Sequence, residues 1–247
     1  MAQAMVPLKD LVQAKTRLAG LLAPSERRAL AQAMVEDVLA TLATHPAITA
    51  VTLVSDDPGA ALLAQEYAAD CWSEVTLGCS GLNAVVACAS ARLLQAGPQP
   101  LLVLHGDLPL LTRDDISEVI AAQHALQGLV IGCDRRGQGT NLLAFGEDSV
   151  PLFCFGADSC IAHEAQARSA SVPVQIVRRD GIGLDVDEPD DLRVLLARST
   201  EDTGSKTFAL LHRSGLGNRL ALALESLGVV EQRQQDSAVE GHRGLKS

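Results

Sequence analysis

Two acidic turns hold the residue types best suited to chemistry in this 247-residue chain. The first closes the apolar run Leu101-Leu102-Val103-Leu104 with His105-Gly106-Asp107-Leu108-Pro109-Leu110-Leu111. The second reads Gly183-Leu184-Asp185-Val186-Asp187-Glu188-Pro189-Asp190-Asp191. A buried strand that ends in a carboxylate puts negative charge at the carboxyl edge of a sheet, where α/β proteins bind ligands. Two such turns meeting there could share a divalent cation, and Mg²⁺ combines a few carboxylates with substrate phosphate oxygens. Spacing does not rank Asp185 against Asp187. Either of them, or Glu188, could instead cap the helix that starts near Pro189.

Four other segments carry polar groups in suggestive places. Lys9, Lys15 and Arg17 follow the first strand, where cations would offset charge building on a phosphorus under attack. Asp134 to Asn141 contains Gly137 and Gly139, and Thr140 and Asn141 offer side-chain donors to a phosphate or carboxylate; a plain hairpin turn is the simpler account. Phe155-Gly156-Ala157-Asp158-Ser159 precedes a helix, so its amides could meet an anion, or Ser159 or Asp158 could simply cap. Gly204-Ser205-Lys206-Thr207 looks like the tail of a P-loop, but the upstream glycine and strand are missing. His105, His124 and His163 show no ligand spacing and read as structural.

The elements that must position these groups alternate between strand and helix. Strands are expected over 2–6, 48–54, 71–75, 101–104, 129–133, 142–145 and 174–177. Helices are expected from Pro24, with Ser25 as its cap, over 60–69, from Gly81-Leu82-Asn83 to Leu94, after Thr112, and over 159–169 and 188–197. That order implies βαβ units and a three-layer α/β/α fold with a mainly parallel sheet. The regular pattern ends near Arg198, dividing the chain into 1–198 and an extension, 199–247. Within the extension 208–227 reads as one amphipathic helix and 231–247 as disordered.

Composition narrows the classes. Hydrophobic content of 47% supplies a full core, and with only 2% aromatics that core is aliphatic. A net charge of −10 and the scarcity of stacking rings argue against a nucleic-acid partner. No apolar run reaches the roughly 18 residues of a membrane span, and the N-terminus has no secretory layout. Six cysteines without C-x-x-C or zinc spacing are expected to be free buried thiols of a cytoplasmic protein.

Taken together the motifs resemble the CofC/FbiD family. The matching pieces are Val6-Pro7-Leu8-Lys9, Ala14-Lys15-Thr16-Arg17-Leu18, Gly81-Leu82-Asn83, Gly106-Asp107-Leu108-Pro109-Leu110-Leu111, Asp134-Arg135 through Gly139-Thr140-Asn141, Phe155-Gly156 to Ser159 with His163, and Leu184-Asp185-Val186-Asp187-Glu188-Pro189. They run in family order over residues 1 to about 197. The departures are His105-Gly106 before Asp107, the less glycine-rich Ala157-Asp158, and the tail. The resemblance implies a GT-A-like nucleotidyltransferase fold of the nucleotide-diphospho-sugar transferase type. It also implies a guanylyltransferase that moves GMP from GTP to phosphoenolpyruvate, 2-phospho-L-lactate or 3-phospho-D-glycerate in coenzyme F-420 biosynthesis.

On that likeness Lys15, Arg17 and Asp107 are catalytic; Lys9, Lys15, Gly81 and Asn83 bind the nucleotide; Thr140, Gly156 and Ser159 bind the acceptor; and Asp107, Asp185 and Asp187 hold Mg²⁺. The partners are GTP and a small phosphorylated carboxylic acid, with no nucleic acid, no membrane, and a homodimer left open. Alternatives are a molybdopterin-type or sugar-phosphate nucleotidyltransferase, or a non-catalytic nucleotide- or partner-binding module.

Overall fold

The computed structural model describes residues 1–9, 11, 15–97, 99–198, 204–213 and 215–227. The elements in chain order are β1 (Ala2–Pro7), a 3₁₀ turn (Thr16–Leu18), α1 (Pro24–Ala43), β2 (Ile48–Val54), α2 (Ala60–Glu66), β3 (Asp70–Trp72), α3 (Glu74–Leu77) and α4 (Leu82–Gln95). Then come β4 (Leu101–Leu104), α5 (Arg113–Leu126), β5 (Leu129–Cys133), β6 (Thr140–Phe145), α6 (Ser159–Ser169), β7 (Val174–Val177), α7 (Asp180–Gly183), α8 (Pro189–Arg198) and α9 (Lys206–Arg213). A further helix, α10, spans 216–227.

The strands form one sheet in the order β3-β2-β1-β4-β6-β5-β7. All neighbours are parallel except β6, which runs antiparallel to β4 and to β5. Strands β4, β5 and β6 are buried at every position, because helices cover both faces and leave no solvated side to demand alternation. One core lies on the α1 and α5 face, around Val6, Val38, Leu104 and Ile116. A second lies on the α4 and α6 face, around Met5, Val86, Val103 and Phe145. A third joins Leu18, Leu22 and Met34 to Leu184, Val186 and Leu192 and to α9 and α10.

Register does the positioning. Met5 pairs with Val103, so the chain leaving β1 emerges beside the chain leaving β4. Leu104 pairs with Leu142 of β6, and His105 N donates to Asn141 O at 3.0 Å. Helix α5 starts at Thr112, whose hydroxyl accepts from Asp115 N while the Asp115 carboxylate accepts from Thr112 N. This reciprocal cap holds the far end of the Asp107 loop.

Three expectations are corrected. Ser25 is not the cap of α1: Ala23 takes that place, with Pro24 first in the helix and Glu26 accepting from Ala23 N at 2.8 Å. Proline suits that position because its missing N–H has no partner there anyway. Residues 208–227 do not form one helix, since α9 and α10 are separate and Gly215, at φ 67°, lies between them. The cysteines are not six free thiols: Cys79 pairs with Cys88 and Cys133 with Cys160, leaving Cys71 and Cys154 free. The expectation for 231–247 lies outside the described residues, and Ala14 and part of the stretch 199–206 do as well. Among the described residues no helix is long and apolar enough to cross a membrane.

Candidate active site

Lys15, Asp107 and Asp187 meet at the carboxyl edge of the sheet. The Lys15 ammonium donates to Asp107 Oδ2 at 2.5 Å and to Asp187 Oδ1 at 2.8 Å. These residues are far apart in sequence, and the pairing of β1 with β4 brings the first two together. Beside them is a cavity of about 510 Å³ lined by Leu8, Lys9, Lys15, His105, Asp107 and Asp187 among others, within the usual range for small-ligand sites. A larger groove of about 940 Å³ lies between α1, α5 and α9. There Arg179 is paired with Asp115 and Arg198 with Asp180. The smaller cavity is the candidate site, because Lys15, Asp107 and Asp187 meet there at the carboxyl edge of the sheet.

Burial works against the Lys15 charge, but Asp107 and then Asp187 outweigh it and raise the ammonium above the ordinary lysine value. Burial likewise pushes the Asp107 carboxyl up, while Lys15 and then His105 hold it below the ordinary range. Asp107 Oδ1 is buried with no hydrogen-bond partner, an orphan that a native site rarely leaves without purpose. Asp185 is pushed up by burial and then by the charge of Asp107, against a hydrogen bond from Asn141. Among the described residues no three acidic, histidine or cysteine side chains converge as a ready metal cluster; the lysine sits between two of the carboxylates instead.

Capping of α8 falls to Asp191. Its Oδ2 accepts from Asp187 N at 3.1 Å and Glu188 N at 2.8 Å, and its Oδ1 receives Arg135 Nε and Nη2. Neither Asp185 nor Asp187 serves as the cap, which leaves the Asp187 carboxylate to face Lys15. Arg17 is exposed at the rim, 3.0 Å from Glu188, and Arg136 reaches the other oxygen of Glu188.

The remaining candidates are placed as follows. Asn83 receives Phe155 N on its Oδ1 at 2.7 Å and donates Nδ2 to Phe155 O at 3.2 Å. Its amide therefore braces α4 against the segment before α6. Gly81 precedes α4 with φ 83°. Asp134 to Thr140 is a hairpin between β5 and β6, with Gln138 N bound to Asp134 Oδ1. Thr140 and Ser159 are buried together, Thr140 N donating to Ser159 Oγ at 2.9 Å. His163 Nε2 accepts from Cys154 N, so its Nδ1 carries the hydrogen and donates to Thr140 Oγ1 at 3.0 Å. Gly156 is exposed just ahead of α6.

Ser205, Lys206 and Thr207 begin α9, and Asp37 accepts from the Ser205 hydroxyl and from Lys206 and Thr207 N. The start of α9 is thus tied to α1 by the Asp37 carboxylate.

His105, expected to be structural, lies at the cavity, and Asn141, expected to offer a side-chain donor, gives it to a carboxylate of the second acidic turn. His105 lines the cavity and packs edge-on to Phe155 at 5.3 Å; its place two residues before Asp107 was the available signal. Asn141 donates to Asp185 Oδ1 at 3.1 Å and to Ile182 O at 2.9 Å. It orients a carboxylate that ligand spacing alone could not connect to it.

The family described as "Guanylyl transferase CofC like" matches residues 2–216. The chain belongs to that family. Its CofC-like relatives include the phosphoenolpyruvate guanylyltransferase of Sphaerobacter thermophilus, 34% identical over 207 residues that cover 82% of this chain and 98% of the relative. The phosphoenolpyruvate guanylyltransferase of Conexibacter woesei is 35% identical over 218 residues, 88% of this chain and 95% of the relative. A solved structure from Desulfovibrio desulfuricans G20, named as a nucleotide-diphospho-sugar transferase, superposes with a TM-score of 0.71. It has 20% identity and covers 89% of this chain and 99% of that one. A 4-diphosphocytidyl-2C-methyl-D-erythritol synthase superposes at 0.54 with 15% identity, covering 78% and 96%. The two superpositions establish the nucleotidyltransferase fold, and the family makes this chain a nucleotidyltransferase enzyme.

Proposed function

We propose that the protein transfers GMP from GTP to the phosphate of a small phosphorylated carboxylic acid and releases pyrophosphate. The observation that carries this reading is the cavity in which Lys15 bridges Asp107 and Asp187. Relatives named phosphoenolpyruvate guanylyltransferase make phosphoenolpyruvate the first acceptor to test, ahead of 2-phospho-L-lactate and 3-phospho-D-glycerate. The pathway that fits is coenzyme F-420 biosynthesis.

Mg²⁺ fits the residues present. The donors are all carboxylate oxygens, Asp107 Oδ1 is orphaned, and burial and then the charge of Asp107 disfavour a bare Asp185 carboxylate. Asp107 with Asp185 or Asp187 would hold the ion, whose chemistry is to neutralise the charge of the donor phosphates and the leaving pyrophosphate.

The acceptor phosphate is ionised at neutral pH, so its oxygen attacks the α-phosphorus without a general base. The bond from that phosphorus to the pyrophosphate oxygen breaks as the new one forms. Lys15 supplies a fixed positive charge inside the cavity, and Lys9 a second at its wall. Arg17, at the rim, is placed to meet phosphates that extend outward. Gly81 lies near the donor base, with the Asn83 amide holding the adjoining loops in register. Gly156, ahead of α6, offers main-chain N–H to the acceptor, and the buried Thr140–Ser159–His163 set fixes that segment's shape. The chemistry rests on positioning and charge neutralisation.

Incubation with Mg²⁺, each nucleoside triphosphate and each acid, with mass detection of the adduct and pyrophosphate release, tests this. GTP with phosphoenolpyruvate is expected to give the GMP adduct, and Asp107→Asn to abolish it. Product from a different triphosphate would overturn the donor, and near-full activity of Asp107→Asn would overturn the site.

A further inference from the structure

The third core joins the two halves of the site to the C-terminal helices. Leu18, Leu21 and Leu22 belong to the turn that follows Lys15, and Leu184 and Val186 flank Asp185. Both groups pack against Phe208, Leu211, Leu216, Leu220 and Leu224 of α9 and α10. The turn is short and well tied: Leu18 N donates to Lys15 O, and Leu21 N and Leu22 N both donate to Leu18 O, each at 2.9 Å. Lys15 itself sits at φ 57°, a left-handed conformation that a non-glycine residue keeps only where its surroundings impose it.

Arg219 on α10 binds the main chain at the far end of that turn. Its Nη1 donates to Leu21 O at 3.0 Å and its Nη2 to Glu26 Oε1 at 2.7 Å. Glu26 in turn holds Ala23 N, where α1 begins. On the other side Arg193 of α8 donates Nη2 to Leu224 O at 3.0 Å. Helix α10 thus grips the turn that carries Lys15 and the helix that follows Asp187.

We propose that α10 is a positioning element of the active site, and that Arg219 sets the Lys15 turn through the Leu21 carbonyl. The exposed Arg219–Glu26 pair contributes little by itself; the partly buried bond to the main chain is the lever. Arg219 lies beyond residue 216, where the family match ends, so the contacts alone carry the proposal. It rests on the catalytic role given above to Lys15, and the test separates the two.

Full-length protein and its Arg219→Met and Arg219→Lys variants are treated with a small amine-reactive ester. Acylation of Lys15 is followed by peptide mass spectrometry against the exposed Lys9 and Lys206, alongside kcat and KM for GTP. Loss of a hydrogen bond from a charged donor predicts about a tenfold rise in Lys15 acylation and a comparable fall in kcat for Arg219→Met, with KM changing less. Arg219→Lys keeps one donor and falls between, which also provides the reading should Arg219→Met not fold. Unchanged Lys15 acylation with lowered thermal stability would make α10 a mere cover and end the proposal. Raised acylation with full turnover would keep the positioning role and remove Lys15 from the catalytic set.

Discussion

A buried ammonium held between two carboxylates is an expensive arrangement, and its geometry explains why it persists. Taking Lys15 out of water is unfavourable, and only the paired charges of Asp107 and Asp187 reverse the balance. Asp107 reaches that position through Gly106, where an added Cβ would lie 2.9 Å from Val35 Cγ2. Gly106→Ala should therefore destabilise the fold by about 1–3 kcal/mol and lower turnover by displacing Asp107. Adding Val35→Ala should recover part of both, as read by urea midpoints and pyrophosphate release.

His163 provides a second test at this scale. Burial lowers its pKa from 6.5 to about 4, so the folded protein keeps it neutral while the unfolded chain takes up a proton near its ordinary value. The resulting stability is present above pH 6.5 and is lost as pH falls towards about 4. Denaturation curves across that window should show a loss on the order of 2 kcal/mol, and His163→Gln should flatten it.

Elements were legible where local chemistry sets them. The capped start of α5, the apolar run of β4 and the hairpin at 134–140 follow from residues close in sequence. What local sequence did not reveal is how side chains distribute capping and bridging duties. Asp191, not Asp185 or Asp187, caps α8, because the third helical residue reaches back to the free N–H groups. Cysteine spacing is equally silent about partners: Cys133 at the end of β5 meets Cys160 in the first turn of α6, their Cα atoms 5.9 Å apart. That bridge and Cys79–Cys88 brace the loops ahead of α6 and α4, the segments assigned to the acceptor and the donor base. Thiol titration of the denatured, unreduced protein should find two free groups, Cys71 and Cys154. Six free groups would remove the bridges.

At the scale of the molecule, the sheet order explains the site. Parallel β1 and β4 release their following loops at one edge, and antiparallel β6 carries Asn141 to the same edge, where it meets Asp185. The third core then seats those loops on α9 and α10. Leu220 is fully buried in it, so Leu220→Ala should cost about 2–5 kcal/mol, read as a lower urea midpoint with turnover lost before global unfolding. An unchanged midpoint would show that the C-terminal helices contribute no core.

The sequence by itself determined the α/β alternation, the parallel sheet, the two acidic turns and the family, because each rests on periodicity or on residues adjacent in the chain. Only the tertiary structure decided that Lys15 lies between Asp107 and Asp187, that Asn141 donates to Asp185 and His105 lines the same cavity as Lys15, and that the Asn83 amide pairs with Phe155. It also divided the segment 208–227 between two helices and seated them under the Lys15 turn. Those facts depend on contacts between residues 44 to 198 positions apart, which strand pairing and core packing create and which no local pattern encodes.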